Sequence, residues 1–309
     1  MGVRVVCLAG GTGGAKLAAG LQALIGSELS VIANTGDDIE ALGVHVSPDP
    51  DLCAYWLSGQ IDAERGWGIE GDSFRVFERM KELGAPGWFG LSDLDLATCL
   101  ERRRRLDLGE RLTEVHSSLA EALGAEAKVL PMCDEPVRTR IRTPGGWRDF
   151  QQYLVQDRAE PEIEEVSFAG IEAARPTPEV KAAIGSAEAI VIGPSNPVIS
   201  IGPMLAVPGM RELLAAAAPP VVAVSPFVAG EVIKGPTDKL MRAVGREPSA
   251  SGVAEAYEGV IDALVVDAAD SERPPAGLPT ARLDTLMDGE RKRIEVARAV
   301  LDYADSLSG

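Results

Sequence analysis

The apolar positions along the chain fall into two alternating kinds of run. Short β-branched runs recur at Val3 to Ala9, Leu29 to Ala33, Lys128 to Met132, Ala189 to Ile192, Val221 to Val224 and Leu264 to Val266. Runs this short and this apolar predict strands buried on both faces, as in a parallel sheet. Between them lie stretches with apolar residues at helical spacing: Leu17 to Leu24, Ser73 to Leu83, Leu112 to Leu123, Thr177 to Ala183, Asp238 to Val244 and Glu290 to Tyr303. A helix is also predicted to start at Asp49-Pro50, with Leu52, Tyr55 and Trp56 on its apolar face. The alternation predicts an α/β fold, with a mostly parallel sheet and helices on both faces. Mid-chain the pattern changes. Residues 86–125 read as helical, and Arg138 to Arg142 pairs across Pro144-Gly145-Gly146 with Trp147 to Val155 as a β-hairpin. Ile163 to Phe168 adds a strand. The expected organisation is one α/β domain over 1–309, with a core from 1–85 and 185–309 and an inserted lobe over 86–184.

Composition narrows the partners. The 309 residues are 46% hydrophobic, enough for a sizeable core, and carry a net charge of -17. A field of that sign disfavours nucleic acid and anionic membrane. It also obliges an anionic substrate to find a local cation or a metal. No stretch reaches the length of a membrane span, and no leader-like segment is read at the start. Cys7, Cys53, Cys99 and Cys133 show no metal-ligand spacing, so reduced thiols in a cytoplasmic protein are expected. Two histidines, His45 and His116, are expected to be structural, because no catalytic partner is evident for either.

The most directed chemical signal is Gly10-Gly11-Thr12-Gly13-Gly14-Ala15-Lys16, between the first strand and the first helix. Glycines there let backbone N–H groups face outward, beside a positive helix end, which suits a phosphate. The turn is not a P-loop, since Ala15 precedes Lys16 and Leu17 follows it. Nor does it complete the dinucleotide fingerprint, whose third glycine is replaced by Lys16. A glycine-rich turn without a ligand is the plain alternative. A second small-residue loop, Gly193-Pro194-Ser195-Asn196-Pro197 followed by Ser200, ends another buried strand and offers neutral donors and acceptors. Lys16 and Lys234 are candidates to neutralise a diphosphate.

Acids gather nearby in sequence. Asn34-Thr35-Gly36-Asp37-Asp38 ends the second strand, where side chains line the ligand crevice of an open α/β sheet. Asp37 or Asp38 can hold a ribose hydroxyl or a metal-bound water, or can simply form an Asx turn. Asp49 and Asp51 in Ser47-Pro48-Asp49-Pro50-Asp51 either compensate a helix dipole or hold a divalent cation through oxygen ligands. Trp88 and Phe89 stack on a planar ring or pack. The Arg102 to Arg105 run reads as a solvated helix face with i,i+4 pairs, or as a surface for an anionic partner.

These motifs, together with Phe150-Gln151, Pro208 to Leu214 and Asp284-Thr285-Leu286-Met287, resemble the 2-phospho-L-lactate transferases (CofD-like) of deazaflavin coenzyme biosynthesis, in order from about residue 3 to about residue 300. The resemblance implies a Rossmann-like core, Mg2+ and a homodimer. It implies transfer of a phosphorylated three-carbon acid from a guanosine diphosphate adduct to the hydroxyl of the deazaflavin FO, with release of GMP. Gly11 to Gly14, Ser195 and Asn196 would hold the nucleotide, with Asn34, Gly193 and Ser200 beside them. Asp51 would be catalytic, at the acceptor and metal end, with Asp37 and Asp38 as further metal candidates. Trp88, Gly90 and Asp93 would border the acceptor. One segment departs from the family pattern: Gly90 to Cys99 lacks two cationic side chains and a histidine that relatives often carry there. A second reading is a non-catalytic sugar-nucleotide-binding regulator of carbon metabolism or cell-wall synthesis, since such proteins share the glycine loop. An NAD oxidoreductase is a third, on an incomplete fingerprint.

Overall fold

The computed structural model describes residues 3–233, 235–271 and 276–307. Lys234, a candidate diphosphate ligand, lies outside them. In chain order the first half comprises β1 (Val5–Ala9), α1 (Gly11–Ile25), β2 (Leu29–Ala33), β3 (Ile39–Ala41), β4 (Val44–Val46) and α2 (Pro48–Leu57). Then follow α3 (Arg75–Glu82), α4 (Asp93–Asp107), α5 (Leu112–Leu123), β5 (Lys128–Pro131), β6 (Arg138–Thr143), β7 (Gly146–Asp149) and β8 (Glu165–Ala169). The second half runs α6 (Pro178–Ser186), β9 (Ala189–Ile192), α7 (Ile201–Ala206), α8 (Met210–Ala215), β10 (Val221–Val224), β11 (Phe227–Val228) and β12 (Glu231–Val232). It ends with α9 (Thr237–Ala243), α10 (Ala250–Ala256), β13 (Ala263–Asp267), β14 (Thr280–Leu283) and α11 (Gly289–Ser306).

Seven strands form one sheet in the order β5-β2-β1-β9-β10-β13-β14, every pair parallel. The α/β expectation holds. Alternate side chains of β1 enter different layers. Val5, Cys7 and Ala9 join α1, α2 and α11 on one face, while Val6 and Leu8 join α6 to α10 on the other. Register is tight at the centre, with Val5 opposite Leu29 on one side and Ala189 on the other. From β1 the chain builds outward through β2 and β5, then returns to build β9, β10, β13 and β14 on the other side. The order therefore reverses between β1 and β9. At such a switch point the connections leave in opposite directions and open a crevice beyond the strand ends.

Several boundaries differ from the sequence reading. The first helix opens at Gly11 rather than Leu17, so the glycines form its first turn. The second opens at Pro48, with Asp49 already inside it. The hairpin β6–β7 forms as predicted, but β7 ends at Asp149 and the chain continues as a π-helical turn over Gln152–Gln156. The antiparallel ladders β3–β4 and β11–β12 carry two or three pairs each, too few residues for a period to declare itself. All four cysteines are free and buried, and burial pushes the Cys7 and Cys133 thiols up to about 12. Among the described residues, no helix is long and apolar enough to cross a membrane.

Gly20 sets how closely α1 meets α11. A Cβ there would lie 2.3 Å from the Arg293 carbonyl oxygen. Alanine would favour the helix by roughly 1 kcal/mol. Overpacking against backbone that cannot swing aside costs about 1–3 kcal/mol, so the clash decides the sign. Gly20→Ala is therefore expected to lower the thermal midpoint, and a melt at or above that of the wild type would contradict this packing.

Candidate active site

The two small-residue loops meet at the switch point. Gly10 is extended, and Gly11, at φ +62°, uses a conformation that side chains resist. A Cβ on Gly13 would lie 2.1 Å from the Pro194 carbonyl oxygen, and one on Gly14 would lie 2.4 Å from Ser195 Oγ. Gly193 likewise has no room, its Cβ falling 2.9 Å from Gly14 Cα. Hydrogen bonds tie the loops together: Gly10 N–H donates to Ser195 Oγ at 3.1 Å, and Gly193 N–H to the Leu8 carbonyl at 2.9 Å. The N–H groups of Thr12 and Gly13 stand in the first turn of α1, where no intrahelical carbonyl exists for them. Free N–H groups at a helix head have the chemistry to receive an anion, and the two loops together are called the cradle below.

Asp49 fastens this cradle to the acidic side of the crevice. One carboxylate oxygen accepts from Gly11 N–H at 2.7 Å and the other from Asn34 Nδ2 at 2.9 Å. Asn34 also donates to the Ile199 carbonyl at 3.2 Å and accepts from Gly36 N–H at 2.8 Å. It thus closes the Asx turn that the sequence reading offered to Asp37 or Asp38, and it braces three loops. Asn196 is similarly engaged, accepting from Val198 N–H and donating to Thr237 Oγ1 at 3.0 Å. Ser200 is buried against Gly10. Lys16 donates to the Met287 carbonyl at 3.3 Å and sits 5.7 Å from the Trp56 ring centroid.

The acids divide by environment. Asp38 accepts from Ser47 Oγ at 2.7 Å and faces His45 Nε2 at 2.9 Å, while His45 Nδ1 faces Glu40. His116 is buried with Nε2 unpartnered, and burial holds its pKa well below the usual value. Asp37 Oδ1 and Asp51 Oδ2 are buried without a hydrogen-bond partner. Burial, then the charge of Asp49, raises the Asp37 carboxyl well above the ordinary range. Burial raises Asp49 to about 6 and Asp51 to about 7, the latter against the lowering effect of Arg102. Asp51 Oδ1 accepts from Arg102 Nη2.

The acceptor-side candidates are used structurally. Asp93 accepts from Ser73 Oγ and from the Arg75 and Val76 N–H groups, so it caps α3. Trp88 meets Phe89 edge-on at 5.4 Å and packs on the β3–β4 ladder. Gly90 lies against Phe74 and Phe77. In the arginine run, Arg103, Arg104 and Arg105 pair with Asp107, Glu101 and Glu110 as a solvated face should. Arg102 departs from that reading and is fully buried. The signal was present as helical spacing, because Asp95, Cys99 and Arg102 share the inward stripe of α4.

Among the described residues, one trio of acid or thiol groups brings its atoms within 4.8 Å of one another: Asp51, Asp95 and Cys99. Asp95 accepts from Tyr55 OH at 2.8 Å, and Arg102 bonds Asp51, so the trio is a buried ion-pair cluster. Its thiol is a poor ligand for a hard cation. The unpartnered oxygens of Asp37 and Asp51 are better suited to one.

The raised Asp51 pKa, about 7 against 3.8, has a readable consequence. Between those values the folded state holds a proton that the unfolded chain has lost, so stability falls as pH rises through the window. Asparagine removes that slope. The melting temperature of Asp51→Asn minus that of the wild type, without ligands, should climb from about pH 4.5 to about pH 8. A flat difference would refute the burial argument.

A family model described as 2-phospho-L-lactate transferase CofD matches residues 5–297. A 2-phospho-L-lactate transferase of Methanosarcina mazei is 41% identical over 302 residues, spanning 96% of this chain and 99% of the relative. A phosphoenolpyruvate transferase of Streptomyces griseus is 41% identical over 316 residues, spanning 99% of each. A solved member of the UPF0052 family from Bacillus halodurans has a TM-score of 0.64 at 18% identity, over 97% of this chain and 99% of that one, a likeness of fold alone. Matched along nearly its whole length, the chain belongs to the 2-phospho-L-lactate transferase family and is a transferase.

Proposed function

We propose that the protein moves a phospholactyl-type group (phospholactyl, phosphoenolpyruvyl or phosphoglyceryl) from a guanosine diphosphate adduct to the hydroxyl of the deazaflavin FO, releasing GMP. The observation that carries this reading is the convergence of the Gly10–Gly14 and Gly193–Ser200 loops into one anion cradle with buried carboxylates at its mouth. Relatives named for phospholactate and for phosphoenolpyruvate are equally similar, which supports the class and leaves the three-carbon acid open among the three.

In this reading the cradle N–H groups and Ser195 hold the diphosphate, and Asp49 keeps the cradle in register with the acids. The acceptor oxygen attacks the phosphorus that bears the three-carbon acid. A P–O bond forms there, the bridging P–O bond breaks, and GMP leaves with its electron pair. The hydroxyl proton passes to a carboxylate of the crevice. Mg2+ would be held by Asp51 with Asp37 or Asp38 nearby, and when bound it supplies neutralising charge for the diphosphate. Positioning contributes most of the rest, since well-oriented reactants can supply about 7–11 kcal/mol of a barrier.

Asp51→Asn should lower turnover by about 100-fold or more, with GDP affinity changed less than about threefold. Unaltered turnover with FO, donor and Mg2+ would remove Asp51 from the mechanism. Gly14→Ala should weaken GDP binding by about tenfold or more, because its Cβ displaces the cradle from Ser195 by way of an overpacked contact. For the wild type, GDP at about 100 times its Kd should add about 2.7 kcal/mol of stability. Protection by UDP-sugars in place of GDP would favour a sugar-nucleotide-binding role.

A further inference from the structure

Arg102 is the most deeply buried charge described in this chain, with 0% of its surface exposed. A buried guanidinium costs several kcal/mol unless it is paired and hydrogen-bonded. Its partners are few and directed. Nη2 donates to Asp51 Oδ1, and Nη1 donates to the His45 carbonyl at 3.0 Å and lies 3.7 Å from Cys99 Sγ. The three contacts come from α2, from β4 and from its own helix, so the guanidinium plane is fixed by separate elements.

Asp51 is fixed in turn. It is 6% exposed, one oxygen is taken by Arg102, and the other is buried with no partner. One oxygen is clamped and the other has no partner, nor has Arg102 Nε, and an orphaned buried polar atom costs about 1–3 kcal/mol. Asp95, held by Tyr55 OH at 2.8 Å, lies in the same cluster.

We propose that Arg102 is a positioning residue for the group-transfer site: it clamps Asp51 by one oxygen and so presents the other to the divalent cation. The inference rests on the reading of Asp51 given above. It also gives α4 a part in the reaction, because the packing of α4 on β4 and α2 sets the aim of a carboxylate on α2.

The test measures Mn2+ affinity by electron paramagnetic resonance in the presence of GDP, together with metal-free GDP affinity and the kcat and KM for donor. Arg102→Met should weaken Mn2+ binding by about tenfold or more, as loss of an outer partner of a metal ligand does, and should lower kcat. GDP affinity without metal and donor KM should stay within about twofold, and Arg103→Met, on the exposed face, should change none of these. Folded Arg102→Met with wild-type Mn2+ affinity, or with metal-free GDP binding lost in step, would overturn the proposal. Should Arg102→Met not fold, Arg102→Gln is judged by the same two criteria. Asp51→Asn separates the two levels. If it binds Mn2+ as the wild type does, the reading of Asp51 falls and the proposal with it. If it loses Mn2+ while folded Arg102 variants keep it, the proposal alone falls.

Discussion

Backbone meets backbone where β1 and β9 end, and the rest of the site depends on that contact. No side chain fits at Gly13, Gly14 or Gly193, because each would enter the opposite loop. The missing Cβ atoms let the head of α1 approach the turn after β9, and the approach makes a concave row of donors. A parallel sheet supplies the setting, since its strand ends point the same way and its order reverses at this place. The glycines serve contact more than flexibility, as Gly11 is the one member of the cradle that needs a left-handed φ.

Around the cradle the protein keeps several carboxylates out of water. Asp37, Asp49 and Asp51 are all raised by burial, and each is near another acid. Such an arrangement is costly without a ligand and favourable with a cation among the oxygens. In a chain of net charge -17, the proposed anionic substrate would need such a local site, because the overall field repels it. Asp49 belongs to both halves, accepting from the glycine turn and from Asn34, and so couples the glycine turn to the acid side.

Much of the frame was legible in the residues. The β-branched runs at Val5, Leu29, Ala189, Val221 and Leu264 became central strands, because full burial on both faces leaves an unbroken apolar signature. The turn and loop motifs marked their strand ends correctly. Short ladders such as β3–β4 were not legible, since three residues hold too little period to detect. The α3 cap was not legible either, because the carboxylate that caps it belongs to Asp93, eighteen residues beyond Arg75. The arginine run looked uniform in sequence, yet Arg102 is fully buried, Arg105 is partly buried, and Arg103 and Arg104 face solvent.

By itself the sequence determined the fold class, the strand-end positions of the glycine and Ser-Asn loops, and the family to which they point. These are local patterns, set by burial period and by residues that tolerate tight turns. Tertiary structure alone decided which acids stay unpartnered, which aspartate holds the glycine turn, and which arginine is buried beside Asp51. Those outcomes depend on contacts between elements far apart in the chain, where desolvation and pairing are settled by packing and by no nearby residue.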